Sequence, residues 1–346
     1  MNSTAPRRAR AALVPAALCL AALATLGFPG CPENVTGPGG GRVSSGLTLS
    51  SCWPNDDGHY WQYATTSRQL EPEPFTELPP DAEVPEITLG LVRSLLADDV
   101  VTWGGAVSNY EFRLEFDGDM TTGSGVTAQR LAESFPVPPI ELAPAGASFE
   151  GRLLDRIAAA RPDLRARLGR QGPSAAGGRI GWSYAPYFIH GYAWIKGPSW
   201  IGTYGDVDTL LAWKFLESNV RPGNTFRHRL VPSLAEDVWL IAGVERTVTV
   251  NVPGVGRSAN AIEVIYAIDY GAAASVDAMG NVTGRYRPFD YGKVVYAPGI
   301  GPVSDLERRL AFLGEGVTHG FQELELHVKD TGVAVPGVLA AARRRW

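Results

Sequence analysis

The sequence predicts a mainly β protein: an antiparallel, strongly curved sheet or incomplete barrel, with a two-sheet sandwich as the alternative and a helical insertion near residues 136–178. Three observations carry this. Tyr110, Phe112, Leu114 and Phe116 alternate with Glu111, Arg113 and Glu115, the period of a strand with one wet face. From Thr225 to Lys329, short apolar runs recur between turn signals, as in a meander. A hydrophobic content of 45%, with nine Trp, twelve Tyr and twelve Phe, is enough to fill a packed core.

In chain order, the first thirty-one residues stand apart. Arg7, Arg8 and Arg10 precede an uncharged run, Ala11 to Phe28, and Gly27, Pro29 and Gly30 stop any helix just before Cys31. Basic, apolar and small-residue segments in that order read as an export signal over residues 1–30. The cysteine that follows resembles the acceptor of bacterial lipoprotein signals, although Phe28 and Pro29 stand where that signature has Leu and a small residue. The resemblance implies lipidation of Cys31 with fatty acyl groups such as palmitate. Pro32, rather than Asp, after the cysteine implies the outer membrane. Two alternatives stay open: an uncleaved span, since Ala11–Phe28 is borderline long for one, and a secreted chain in which Cys31 is a bystander.

Residues 31–51 are rich in Gly, Pro and Ser and read as a flexible tether. Residues 52–135 open the β domain. Pro54–Gly58 supplies a turn, Tyr60–Thr66 reads as a strand, Glu71–Glu86 as a Pro-rich acidic loop, and Ile87–Ala97 as a short helix through Ile87, Leu91 and Leu95. Asp117-Gly118 is expected to turn the Tyr110–Phe116 strand into a hairpin ending near Val126. A calcium loop there would need more oxygen ligands than Asp117 and Asp119 provide. Residues 136–178 read as an insertion or linker holding two short helices over Phe149–Leu168, broken at Pro162, with a solvated arginine run.

Residues 179–332 form the main meander. It opens in an aromatic zone where Trp182, Tyr184, Trp194 and Trp200 either fill a curved sheet or line a groove for an apolar ligand. Thr209–Leu216 fits a helix or a strand, and the turn Arg221-Pro222-Gly223-Asn224 after it favours a strand; Thr225–Val231, Val238–Val244, Thr247–Val252, Ala261–Asp269, Val294–Ala297, Leu306–Leu313 and Gln322–Lys329 read as strands. In the last, Leu324, Leu326 and Val328 face in, and Glu323, Glu325 and His327 face out. The tail, 333–346, ends in a basic tip.

Pro54-x-x-x-Gly58-x-x-Trp61-x-Tyr63 and Val295-Tyr296-Ala297-Pro298-Gly299-Ile300-Gly301-Pro302-Val303 resemble the opening and closing motifs of a group of uncharacterised bacterial lipoproteins. Thr247–Val252 with Pro253-Gly254, followed by Ile262–Tyr266, looks like a strand pair of the same proteins. The resemblance implies a β-rich, envelope-bound protein and carries no activity. A weaker echo, Gly58-His59-Tyr60-Trp61 against Gly223-Asn224-Thr225-Phe226, hints at two related halves.

Chemistry is sparse. Gly181-Trp182-Ser183-Tyr184-Ala185 loosely matches a hydrolase nucleophile elbow, but Pro186 denies the helix that must follow. His319, Glu323 and His327 would lie too far apart along one strand to share a zinc ion. His59, His190 and His228 are scattered, and Cys52 reads as a small buried residue. No metal or cofactor is expected, and the chain reads as a non-enzyme. With 36 acidic residues against 31 basic, three of the latter in the leading segment, nucleic acid is not expected as a partner. The expected partners are a membrane through the lipid, an envelope protein, or an apolar ligand.

Overall fold

The computed structural model describes Cys52 and residues 58–70, 74–97, 103–121, 127–137, 160–161, 193–196, 200–204, 213–217, 220–231, 235–318 and 322–333. Contacts divide the chain into Met1–Ser44 and Ser45–Trp346, and every described residue lies in the second unit.

Strands β1 (His59–Leu70), β2 (Trp103–Thr121), β3 (Thr127–Val137), β4 (Ala193–Lys196), β5 (Trp200–Tyr204) and β6 (Trp213–Glu217) run outward in chain order, each antiparallel to the last. Strands β7 (Thr225–Val231), β8 (Ala235–Val252), β9 (Gly256–Asp269), β10 (Ala273–Val276), β11 (Val282–Ala297), β12 (Gly301–Leu313), β13 (Val317–Thr318) and β14 (Gln322–Val333) supply the rest. The path is β6-β5-β4-β3-β2-β1-β14-β12-β11-β9-β8-β7, with β10 on β11 and β13 on β12. First and last strands therefore pair in the middle of the sheet, while β6 and β7, neighbours in sequence, end up at its two edges. No ladder joins those edges among the described residues.

The period-two pattern decides which face is inside. Trp61, Tyr63, Thr65 and Ser67 of β1 are buried, as are Tyr110, Phe112, Leu114 and Phe116 of β2 and Ile262, Val264, Tyr266 and Ile268 of β9. One core cluster takes in Leu131 of β3, Leu216 of β6 and Phe226 of β7 together with most of these. Twelve strands laid flat would span roughly 50 Å at ~4.8 Å each, too far for a shared core. The sheet is thus curled around this face, and the two-sheet sandwich does not apply.

The outer face is covered in part by helix α1 (Leu89–Ala97). Thr88 starts it: the Leu91 amide donates to Thr88 Oγ1 at 3.2 Å and the Val92 amide to Thr88 O at 3.1 Å. Nine residues are too few to hold a helix alone. Packing does it, because Val92, Leu95 and the preceding Ile87 bury against Ile265, Ala267, Phe289, Tyr291 and Ala311. Arg308 donates to Leu95 O near the helix C-terminus at 3.2 Å and to Glu323 Oε2 at 2.8 Å. Arg308→Met should leave Glu323 with less compensation in a buried setting and cost about 2–4 kcal/mol. The check is amide exchange: α1 should open ahead of the sheet in the variant, and unchanged α1 protection would contradict this anchoring role.

Several sequence expectations are corrected. Asp117-Gly118 does not end its strand. β2 runs on to Thr121, and its register against β3 shifts between Phe116 and Asp119, where Gly118 adopts φ +77°. The pair makes a bulge, because β3 continues past it and rewards continued pairing as far as Thr121 with Thr127. Val238–Val244 and Thr247–Val252 are one strand, β8, with a register shift between Val244 and Arg246. Of the expected helical insertion, Pro136 and Val137 still belong to β3, Ala160 and Arg161 are buried, and the rest lies outside the described residues. Arg161 is no solvated face. It donates to Asp237 Oδ2 at 2.7 Å and to Tyr270 O at 2.9 Å.

Gly58 and Gly223 occupy matching places. Both have positive φ, +77° and +87°, and both donate to the next strand of their antiparallel pair, Gly58 to Phe116 O at 3.0 Å and Gly223 to Val244 O at 2.8 Å. Three residues on, Trp61 and Phe226 enter the same core.

Candidate functional site

The opening and closing motifs meet. Trp61 Nε1 donates to Ile300 O at 2.6 Å, and Tyr63 Oη donates to Pro302 O at 2.9 Å, across 239 residues of chain. Gly301, at φ +97°, sits under the indole, and a Cβ there would lie 3.0 Å from the Trp61 ring. The backbone conformation and the close approach both exclude a side chain. This closure ties β1 to the β11–β12 turn, on the far side of β14.

The inner face carries a second feature, which the sequence did not mark. In β12, Val303, Asp305, Glu307 and Arg309 share the buried inner face. Gly292 of β11 opposes both Glu307 and Tyr266. With no side chain on Gly292, the Tyr266 ring lies across it, and a Cβ there would come 2.7 Å from Tyr266 Oη. That hydroxyl reaches 3.1 Å from Asp305 Oδ1 and 3.1 Å from Glu307 Oε2. Glu307 Oε1 accepts from Arg309 Nε at 2.5 Å, and both side chains are fully buried. Arg309 Nη1 continues to Gln322 Oε1 at 3.1 Å, whose Nε2 donates to Ser67 Oγ at 2.9 Å. The run therefore crosses β9, β12, β14 and β1.

Just beyond it the backbone is strained. Leu310 takes φ +58°, where β12 and β11 slip register between Phe289 and Tyr291. The Leu310 amide donates to Asp290 Oδ1 at 2.8 Å, and Tyr270 Oη donates to Asp290 Oδ2 at 2.6 Å. Alternation along β12 puts Arg308 on the outer face under α1 and Arg309 on the inner face, and the bulge keeps Leu310 on the inner face as well before Ala311 returns to the outer one.

Burial dominates the electrostatics. It pushes the Asp305 carboxyl well above the usual carboxylate range, and the charge of Glu307 adds to the shift. The Tyr266 hydrogen bond and Arg309 pull the other way and lose. Burial, then Asp305 and Glu307, likewise raises the Tyr266 phenol well above its ordinary value. Asp269, buried beside Arg287 at 2.9 Å, is also raised, burial being the largest cause.

The outer face corrects one expectation. Glu323 does not face solvent but is 2% exposed, held by Arg308 at 2.8 Å and Arg68 at 2.8 Å, while Glu325 and His327 stay partly or well exposed. The strand does alternate, but its outer side lies beside α1 at this end. His319 lies outside the described residues, as do Cys31, Trp182, Tyr184, Ser183 and His190. Trp194 opposes Gln129 of β3 and Thr203 of β5, and Trp200 opposes Glu217 of β6. The His59 ring lies tilted against Trp61 at 4.6 Å, and His228 lies near Phe226 at 5.5 Å, so the two sit apart in different strand pairs. Cys52 is buried in the core. Among the described residues, no three His, Cys, Asp or Glu side chains form a metal-sized group.

What reading alone passed over was Asp305, Glu307 and Arg309, because charges two apart on a strand look like a wet face. A signal was nonetheless present in β9, one strand beyond β11 from β12. Ala261–Tyr270 is apolar at nearly every position, the mark of a strand buried on both sides, and its neighbours must then bury polar groups as well.

No protein-family model matches the chain, and no curated protein sequence matches it. Among solved structures, a Bacteroides fragilis protein with a YmcC-like fold is similar at 11% identity and a TM-score of 0.31, over 81% of this chain and 98% of that one.

Proposed function

We propose that the chain is a lipid-anchored, non-enzymatic module of the bacterial envelope, held at the outer membrane through Cys31 and working by presenting its β body to an envelope partner. The observation that carries this is the order of basic, uncharged apolar and Gly/Pro segments immediately before Cys31, followed by a Gly/Pro/Ser tether. Several acyl chains on one cysteine anchor firmly, at roughly 0.8 kcal/mol per buried methylene. The non-enzymatic reading is supported by the inner face, where the polar groups of β9 and β12 are largely engaged with one another amid large buried aromatics. A carrier of an apolar ligand is the second reading, favoured by the pairing of β4 with β5, which brings Trp194 and Trp200 onto adjoining strands.

Expression in a bacterial host with labelled palmitate tests the anchor. The wild-type chain should take up label and partition into detergent, and Cys31→Ser should lose both. Release of an unlabelled wild-type chain without detergent would refute the proposal. Native mass spectrometry of the same material separates the two readings, since a co-purifying apolar molecule would favour the carrier.

A further inference from the structure

We propose that Asp305 keeps a proton at neutral pH, and that this proton closes an Asp305–Tyr266–Glu307–Arg309 relay that serves as a pH-sensitive clasp on the inner face of β9 and β12. The number of hydrogens available requires it. Tyr266 Oη lies 3.1 Å from both Asp305 Oδ1 and Glu307 Oε2, yet a phenol has one hydrogen to give. Glu307 is claimed on its other oxygen by the Arg309 guanidinium at 2.5 Å, so it is the carboxylate that accepts from Tyr266. The remaining 3.1 Å contact then needs its own hydrogen, or two oxygen lone pairs would face each other in a dry site. That hydrogen sits on Asp305, whose O–H donates to Tyr266 Oη. No ion pair joins Asp305 to a cation among the described residues, and its Oδ2 is buried without a hydrogen-bond partner.

The surroundings agree. Asp305 is 2% exposed. The titratable and charged groups facing it are Tyr63 from β1, Tyr266 from β9, and Glu307 and Arg309 on its own strand. Its register neighbours, Val294 on β11 and Leu326 on β14, are apolar. Burial and the adjacent Glu307 charge both disfavour ionisation, in the same direction as the hydrogen count. If Asp305 ionised, two buried carboxylates would compete for one phenol hydrogen and repel each other, and the clasp between β9 and β12 would loosen.

The sign of the pH effect follows. Asp305 is protonated when folded and ionised when unfolded above about pH 4, so the folded state binds the extra proton and stability falls as pH rises through that window. Urea unfolding of the wild-type chain and of Asp305→Asn between pH 5 and 9 reads this out. The carboxamide introduced by Asp305→Asn can donate to Tyr266 in place of the carboxyl O–H and cannot titrate. The wild-type folding constant should fall more steeply with pH than that of the variant, by up to tenfold per pH unit, the limit for one proton. Asp269 is present in both chains and cancels. Equal slopes would overturn the proposal. Should Asp305→Asn not fold, infrared spectra of wild-type protein carrying carboxyl-labelled aspartate decide the matter. A protonated aspartate band at pH 7 that persists in Asp269→Asn is expected, and its absence overturns the assignment.

Discussion

Trp61→Ala is expected to cost the fold about 3–5 kcal/mol, the range for deleting a large aromatic from a closed core. Two effects combine. The indole is fully buried, packed edge-on to Phe116 at 5.5 Å and laid over Gly301, so its removal leaves a hole lined by rigid backbone. It also abandons Ile300 O, which accepts from Trp61 Nε1 at 2.6 Å, and an unmet buried carbonyl costs roughly 1–3 kcal/mol. Trp61→Phe separates the two, keeping most of the ring while losing the donor, and should fall well short of the alanine variant. Urea midpoints on the three chains measure this. A loss under about 1 kcal/mol for Trp61→Ala would mean that β1 is not fastened to the β11–β12 turn in the way described.

Arg309→Met should be comparably damaging, at about 3–5 kcal/mol, because it strands the Glu307 carboxylate in a dry interior. The instructive variant is the double one. Replacing Glu307 and Arg309 together by Leu and Met removes both desolvation costs, and the pair should recover much of the stability that the single change loses. A double variant as unstable as the sum of the singles would show that the two side chains act independently, despite the 2.5 Å separation of their charged atoms. Tyr266 adds a constraint: its hydroxyl loses the Glu307 carboxylate that lies 3.1 Å away, so recovery should stop short of complete.

The pattern of sequence was informative where one face is wet. Tyr110 to Phe116 alternates in sequence and the structure buries those four apolar residues, although Glu115 on the opposite face is buried too, beside Arg113. Residues 87–97, with apolar residues at helical spacing, form a helix from Leu89 because Thr88 caps it and a groove on the sheet receives it. Glu323 and Asp117-Gly118 misled for one reason. A charge on a strand, or an Asp-Gly pair, reports a local preference, and a partner strand or helix overrides it when burial with a counter-ion, or continued pairing, is worth more. The Asp305–Glu307–Arg309 alternation reads as solvated for the same reason. Only the sheet's curl turns that face inward.

By itself the sequence determined the basic–apolar–cysteine order of the leading segment, the β character, most of the strands and the glycines that bear the turns, because these rest on residue order and period-two burial, which are local. The tertiary structure alone decided that β1 pairs with β14, so that motifs 239 residues apart become one joint. It alone decided, too, that a row of charges lies on the buried inner face of the sheet. Both follow from curling a long antiparallel sheet on itself, and the partners this brings together are set by strand order and register, which no stretch of sequence contains.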